Sequence, residues 1–188
     1  MENLVQISKT AKIDNNVKFV GKCIVEDDVE IHGDCYIENS ILKSGVVVKS
    51  SYITNSTINK NTTVGPFAHI KQNSYVGENC RIGNFVEIKN STLGNGTKCA
   101  HLSYIGDATL GERVNVGCGV VFANYDGKKK HRSTIGNDVF IGCNCNIVAP
   151  RTIEDGCFIA AGTTVTNNLP ENSFCIGRQK DSYRKRKD

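Results

Sequence analysis

Residues 135–165 read IGNDVFIGCNCNIVAPRTIEDGCFIAAGTTV, and a β-branched apolar residue opens each block of six. Two earlier stretches of the chain carry the same spacing. The residues at these positions are Ile13, Phe19, Val25, Ile31 and Ile37; Val64, Ile70, Val76, Ile82 and Ile88; and Ile135, Ile141, Ile147, Ile153, Ile159 and Val165. All of them are apolar in a chain that is 39% hydrophobic, so chance does not explain the pattern.

A second position, four residues after each of these, carries mostly small or β-branched side chains, with Arg151 as the clear exception. Five of the nine cysteines occupy it: Cys23, Cys35, Cys80, Cys145 and Cys157. We interpret them as small buried hydrophobic residues. Two inward positions in every six residues indicate a short strand followed by a corner, which is the hexapeptide pattern of a parallel β-helix, a solenoid of stacked coils.

The composition favours the same fold class. The 188 residues include 18 Ile and 18 Val against six Leu, one Met and no Trp. Helical cores favour Leu and Met, whereas β-branched residues suit pleated surfaces. We therefore expect an all-β protein, with one β-helix domain over residues 1–178.

Charge and cysteine content exclude several classes of function. The net charge of +4 is mild. The positive charge is concentrated in two clusters, Lys128–Arg132 and Arg178–Lys187, and the second predicts a basic tail at 179–188. No basic stripe with interleaved aromatic residues indicates nucleic-acid binding. The N-terminus resembles no signal peptide and no apolar run is long enough for a membrane span, so we expect a cytoplasmic protein whose thiols are reduced.

Interruptions of the repeat mark the places where function is expected. Steps of five occur from Ile53 to Ile58, from Ile88 to Leu93 and from Ile105 to Leu110. From Phe122 to Ile135 the step is thirteen, one more than two hexads, and the intervening segment is polar and basic. This segment, at about 123–134, is predicted to protrude as a loop, and loops on rigid scaffolds commonly carry function.

Four motifs resemble one enzyme family: Gly83–Lys89 (GNFVEIK), His101–Asp107 (HLSYIGD), Asn124–Gly127 (NYDG) and Ala160–Thr166 (AAGTTVT). They are similar to the C-terminal acetyltransferase domain of the bifunctional N-acetylglucosamine-1-phosphate uridyltransferases/glucosamine-1-phosphate acetyltransferases. The resemblance is dense from residue 65 to residue 178. It implies a left-handed, triangular β-helix with three hexads per turn, a homotrimer, and acetyl transfer from acetyl-CoA to glucosamine 1-phosphate without a metal.

The family's N-terminal uridyltransferase domain is expected to be absent, because the repeat begins by Ile13 and neither GxxxxGK[ST] nor GxGxxG occurs. Uridyl transfer would then come from a separate protein.

The resemblance also implies roles for individual residues. His101 matches the catalytic histidine, and a histidine is the usual base near neutral pH. The residues that match amino-sugar-phosphate contacts are Lys71, Glu87, Lys89, Tyr104, Asn115 and Lys130. The residues that match acetyl-CoA contacts are Cys118, Asn124, Tyr125, Cys143, Ala161 and Arg178.

Three positions depart from the family pattern. Lys71 stands where the family has arginine, which keeps the charge and loses the bidentate fork. Cys118 and Cys143 stand where the family often has alanine and serine, and Cys143 thereby lacks a good hydrogen-bonding hydroxyl.

Three other functions stay open at this point. The chain could acylate another amino sugar or a nucleotide sugar. It could be a zinc carbonic anhydrase, although that enzyme needs three histidines to meet and the four histidines here form no close pair. It could also be a non-catalytic scaffold, for which a bare repeat without the basic loop is typical.

Overall fold

Short parallel strands build the whole of the described chain. The computed structural model describes residues 4–178, so the predicted basic tail at 179–188 lies outside the described residues. Within this range every regular element is a strand. The strands are β1 Leu4–Ile7, β2 Lys12–Ile13, β3 Lys18–Val20, β4 Lys22–Val25, β5 Glu30–His32, β6 Tyr36–Glu38, β7 Ile41–Leu42, β8 Val47–Lys49, β9 Tyr52–Thr54, β10 Thr57–Ile58, β11 Thr63–Val64, β12 His69–Lys71, β13 Tyr75–Val76, β14 Arg81–Lys89, β15 Thr92–Leu93, β16 Lys98–Gly106, β17 Ala108–Leu110, β18 Asn115–Val116, β19 Val121–Ala123, β20 Ser133–Ile135, β21 Phe140–Ile141, β22 Asn146–Val148, β23 Thr152–Ile153, β24 Phe158–Ile159, β25 Thr164–Val165 and β26 Phe174–Cys175.

The strands form three faces of a solenoid. One face is a nine-stranded parallel sheet that runs from β1 through β10 to β23. The other two faces form one 17-stranded sheet, because β14 and β16 are each nine residues long and continue around the corner between them. Lys12 pairs with Glu30 and Thr134 with Thr152, so a full turn takes 18 residues, which is three hexads. The parallel β-helix is confirmed, and its left-handed winding stays a prediction.

The steps of five are tight corners. Each contains a residue in the left-handed backbone region, namely Asn55 (φ 48°), Asn90 (φ 47°) and Asp107 (φ 50°). Asparagine and aspartate adopt this conformation more easily than most residues do. A shortened turn brings Arg81 opposite Lys98, which is 17 residues away instead of 18.

The basic segment leaves the solenoid as a loop at one corner. Leu110 pairs with Ile135, a separation of 25 residues, so this turn holds seven residues more than the 18-residue turn. The thirteen residues from Phe122 to Ile135 therefore cover a single hexad step from one face to the next, with seven extra residues inserted as the loop. The loop comprises residues 124–132, since β19 ends at Ala123 and β20 begins at Ser133.

The core is a continuous stack of the two inward positions. Ile31, Ile70 and Ile141 are fully buried, as are the cysteines of the second position. Where that position holds Ser or Thr, the hydroxyl donates to a backbone carbonyl, as from Ser91 to Lys89 and from Thr97 to Gly111. Buried polar groups are tolerated when they are satisfied in this way. No helix among residues 4–178 is long and apolar enough to cross a membrane.

Candidate active site

His101 lies where β16 passes around the corner between two faces, and its side chain is exposed. It pairs in register with Asn84 on the preceding coil. The ring atom Nδ1 lies 3.2 Å from Oδ1 of Asn84. Because an amide oxygen can only accept, Nδ1 donates and the lone pair of the neutral ring lies on Nε2. The solenoid thus fixes the tautomer that a general base requires.

Four predicted residues stack in one column along this corner. The register Tyr104 to Val121, Val121 to Asn146 and Asn146 to Thr164 places His101, Cys118, Cys143 and Ala161 on consecutive coils. Neighbouring strands lie about 4.8 Å apart, so the column is roughly 14 Å long. Nη1 of Arg178 donates to the carbonyl oxygen of Ala161 at 2.5 Å, which places its guanidinium at the end of the column opposite His101.

A hydrogen-bonded group lies beside His101 on the adjoining face. Nδ2 of Asn124 donates to the hydroxyl of Tyr104 at 3.3 Å and to the carboxylate of Asp107 at 2.5 Å. The phenol lies across Gly106, where a Cβ atom would stand 2.3 Å from the hydroxyl oxygen. Gly106 is therefore required for this position of Tyr104.

The loop folds back and brings Lys130 to the same face. Tyr125 forms an isolated antiparallel bridge with Lys130, and the amide of His131 donates to the carbonyl of Asn124 at 2.8 Å. Lys130 is close to Lys89, and the Lys89 ammonium is the main cause that lowers the pKa of Lys130. An anion between two ammonium groups would relieve their mutual repulsion.

The turn of the loop is stabilised by one carboxylate. Oδ2 of Asp126 lies 2.6 Å from Nε2 of His131, and Oδ1 accepts from the amides of Lys128 and Lys129 at 2.8 Å each. His131 above all, and then the two amides, lowers the pKa of Asp126 to about 2. These contacts preorganise the loop that carries Asn124 and Lys130.

Lys71 and Glu87 bind each other. Their side chains form an ion pair of 2.9 Å between adjacent coils of the same face. The resemblance implies separate contacts to the sugar phosphate for the two residues, and it does not indicate this pairing. Part of the charge of Lys71 is thus neutralised within the protein.

The predicted residues fall into three groups. Lys71, Glu87, Lys89 and Tyr104 share one face, the loop brings Asn124, Tyr125 and Lys130 to it, and the column from His101 to Arg178 borders it. A largely apolar cleft of about 440 Å³ lies at this border, lined by Phe85, Glu87, Leu102, Ser103, Tyr104, Gly119 and Val121. Asn115 lies on the other face, three residues before the corner residue Cys118, and pairs with Lys98 and Phe140.

Sequence reasoning missed three residues of this region. Asn84 orients His101, Asp107 binds the amide of Asn124, and Arg132 donates to the carbonyls of Asn90 and Ala108 at 2.7 and 2.8 Å. Asn84 could have been found from the sequence, because it lies 17 residues before His101, which is one shortened turn. Among residues 4–178, no three His, Cys, Asp or Glu side chains form a group that could hold a metal ion.

Comparison with known proteins gives consistent matches. Residues 132–167 match the family described as bacterial transferase hexapeptide (six repeats), and residues 52–126 match the GMPPB C-terminal domain. Bifunctional protein GlmU of Clostridium acetobutylicum is 52% identical over 160 residues, which is 85% of this chain and 35% of that protein. GlmU of Clostridium perfringens is 56% identical over 142 residues, 76% of this chain and 31% of that protein.

This chain is a homologue of the C-terminal region of bifunctional GlmU. GlmU of Alkaliphilus metalliredigens aligns over 93% of this chain at 44% identity, and over 40% of its own length. The chain thus spans about a third of the length of the first two GlmU proteins. The resemblance found in the four motifs is confirmed.

Solved structures show the same fold. UDP-N-acetylglucosamine acyltransferase from Campylobacter jejuni superposes with a TM-score of 0.69 at 18% identity, over 87% of this chain and 68% of that one. The Francisella novicida UDP-N-acetylglucosamine acyltransferase gives a TM-score of 0.60 at 16% identity, over 90% and 64%. At these identities the likeness concerns the fold alone.

Proposed function

We propose that the chain transfers the acetyl group of acetyl-CoA to the amine of glucosamine 1-phosphate. The neutral amine attacks the thioester carbonyl, a C–N bond forms, and the C–S bond breaks. The products are N-acetylglucosamine 1-phosphate and coenzyme A. The proton lost by the amine moves to a base and then to the departing thiolate, so the reaction is balanced.

His101 is the proposed base. Its Nδ1 is engaged by Asn84, so Nε2 is the atom that accepts the proton. The Lys89 and Lys130 ammonium groups bind the phosphate of the acceptor, and Glu87 with Lys71 contacts the sugar. Asn115, which lies on the other face, would contact the acceptor only from a neighbouring molecule or around the corner.

Acetyl-CoA is proposed to lie along the column. Asn124 and Tyr125 would border the thioester, Cys118, Cys143 and Ala161 would line the pantetheine, and Arg178 would bind the phosphates. A cleft lined by Gly162, Thr164, Gly177 and Arg178 at the far end gives room for the nucleotide. The reacting groups thus meet at His101.

The observation that carries the proposal is the shared register of these groups. A base with a fixed tautomer lies at one end of the column, a cation lies at the other, and a paired-lysine site lies on the next face. An acetyl thioester with a distant phosphate and a phosphorylated amine requires this combination. No metal is needed in the proposed step.

The wider setting follows from the same proposal. The product is a sugar 1-phosphate, which a uridyltransferase would consume for UDP-sugar and cell-envelope synthesis. We place the reaction in the cytoplasm, since the nine cysteines are unpaired, as is typical of a reducing compartment. The active assembly is proposed to be a homotrimer, and light scattering that finds a fully active monomer would contradict it.

The test is release of coenzyme A from acetyl-CoA with glucosamine 1-phosphate, glucosamine 6-phosphate and UDP-glucosamine. The product should be identified by mass spectrometry, because the exposed thiol of Cys143 would itself react with a reagent that detects the thiol of coenzyme A. Glucosamine 1-phosphate should give the highest kcat/KM. A higher value for either other acceptor identifies a different amino-sugar acyltransferase, and no turnover with any of them contradicts catalysis. His32→Ala is a matched control, because His32 lies on β5, far from His101 along the chain, where its ring contacts the carboxylates of Asp14 and Glu30.

A further inference from the structure

Asp107 is a buried carboxylate at the corner between β16 and β17, and only 7% of it is exposed. Its oxygens accept from Nδ2 of Asn90 at 2.5 Å and from Nδ2 of Asn124 at 2.5 Å. None of the ion pairs among residues 4–178 includes it. Its direct partners are therefore two neutral amides, although a buried charge is costly without a compensating charge.

The backbone of this corner does not require a charge. Asn39, Asn55 and Asn90 occupy the corresponding corner on preceding coils with φ values of 44°, 48° and 47°, against 50° at Asp107. An asparagine therefore satisfies the left-handed conformation at three comparable corners. The carboxylate at position 107 needs a different explanation.

The charge of Asp107 acts on Lys130. The groups that face Lys130 from other elements are Lys89 on β14, Tyr104 on β16 and Asp107 at the corner. On its own loop, His131 is paired with Asp126, and Arg132 donates to backbone carbonyls. Lys89 lowers the pKa of Lys130, whereas Asp107 and Tyr104 act in the opposite direction. Asp107 is the carboxylate among these groups that is not already paired with a cation.

The same carboxylate fixes an amide of the candidate site. The two N–H groups of Asn124 are directed to Asp107 and to the hydroxyl of Tyr104. The amide plane is thereby set by two partners on the preceding coil. An asparagine at position 107 would supply only one oxygen, so either Asn90 or Asn124 would lose its acceptor.

From these contacts we infer that Asp107 is a positioning residue: it orients the Asn124 amide and places a negative charge that offsets the repulsion between Lys89 and Lys130 where they would bind the phosphate of the acceptor. The inference rests on the proposed function for the identity of that acceptor. The geometry of the buried carboxylate, its two amides and the facing lysines is independent of it.

The test compares wild type with Asp107→Asn and Asp107→Glu. Both kcat and KM are measured between pH 6 and pH 10 for glucosamine 1-phosphate and acetyl-CoA. In Asp107→Asn, the high-pH limb of kcat/KM should move down by about one pH unit, because an opposite charge near a lysine is removed. KM for the sugar phosphate should rise roughly tenfold, and this rise should exceed any change in KM for acetyl-CoA, whose thioester Asn124 borders. Asp107→Glu keeps the charge and should keep the high-pH limb.

Two controls separate this inference from a general loss of structure. Asp138→Asn removes one charge at an exposed corner, where Asp138 pairs with Arg113, and should leave the profile unchanged. Asp107→Gly is a second charge-removing variant, since glycine adopts the positive φ of this corner without strain. If the high-pH limb and the sugar-phosphate KM stay at wild-type values in both charge-removing variants, the inference is wrong, whatever happens to kcat.

A measurement without turnover distinguishes the two proposals. Carbon-13 methylation of the lysines and NMR titration report the pKa of Lys130 directly, with Lys130→Arg for assignment. A lower Lys130 pKa in Asp107→Asn than in wild type supports the inference even if no amino sugar is acetylated. An unchanged pKa overturns it even if the wild-type enzyme is active.

Discussion

Gly106→Ala should displace Tyr104 without adding any polar group. The new Cβ would lie 2.3 Å from the hydroxyl oxygen, 2.5 Å from Cζ and 2.7 Å from Cε1 of Tyr104. Comfortable contacts between heavy atoms begin at roughly 3.5 Å, so the end of the ring has to move by about 1 Å. The 3.3 Å hydrogen bond between Tyr104 and Asn124 then breaks. A misplacement of about 1 Å at a reacting site is worth roughly 10²-fold, and kcat should fall by up to that factor.

The assay is coenzyme A release under saturating acetyl-CoA, combined with urea unfolding. Tyr104→Val is the background that isolates the clash, because Val121 occupies the same register position on the next coil. Gly106→Ala should be less destabilising in Tyr104→Val than in wild type, with a coupling of about 1 kcal/mol or more. If Gly106→Ala keeps more than half of the wild-type kcat, or if its effect on stability is the same in both backgrounds, the assigned position of Tyr104 is wrong.

Three further predictions concern the base, the loop and the column. His101→Ala should lower kcat by about 10²–10⁴-fold and leave KM for acetyl-CoA within a few-fold; more than about a third of the wild-type kcat would require another base. The pKa of Asp126 lies at about 2 in the folded state, below its ordinary value of 3.8, so its stabilisation is present above pH 4 and is lost as the pH falls towards 2. The urea midpoints of wild type and Asp126→Asn should therefore differ at pH 5 and converge near pH 2, and a constant difference would contradict the role of His131 as its partner. Under native conditions a thiol reagent should modify the exposed Cys143 first, and acetyl-CoA should slow the reaction; mass mapping that finds no protection would place the coenzyme elsewhere.

The sequence predicted the fold because each hexad repeats the same inward positions. Ile135, Ile141 and Ile147 report a coil without any knowledge of long-range contacts. The five-residue steps were visible for the same reason, and Asn90 and Asp107 lie in two of them. The hand of the coil is not encoded in this periodicity, since both hands would bury the same residues.

Side-chain pairs between coils were not predictable in this way. The ion pair of Lys71 with Glu87 depends on which residues lie one coil apart after a particular set of shortened turns. The contact between Asn84 and His101 has the same origin. Residue types suggested the chemistry of the loop, but its hydrogen bonds from Asp126 to Lys128 and Lys129 depend on the folded turn. The roles of the site residues stay predictions until variants are measured.

The column at the corner has a consequence for how such a site can evolve. Its length is a whole number of coils, so it changes only in steps of about 4.8 Å, each of which adds or removes one coil of 17 or 18 residues where no loop is inserted. Point substitutions can alter the chemistry at His101, Cys118 or Cys143 without altering the distance from the base to Arg178. Duplication or deletion of one coil would instead alter the distance and preserve the chemistry. Selectivity for the size of a co-substrate and selectivity for its functional groups are therefore inherited through different kinds of genetic change.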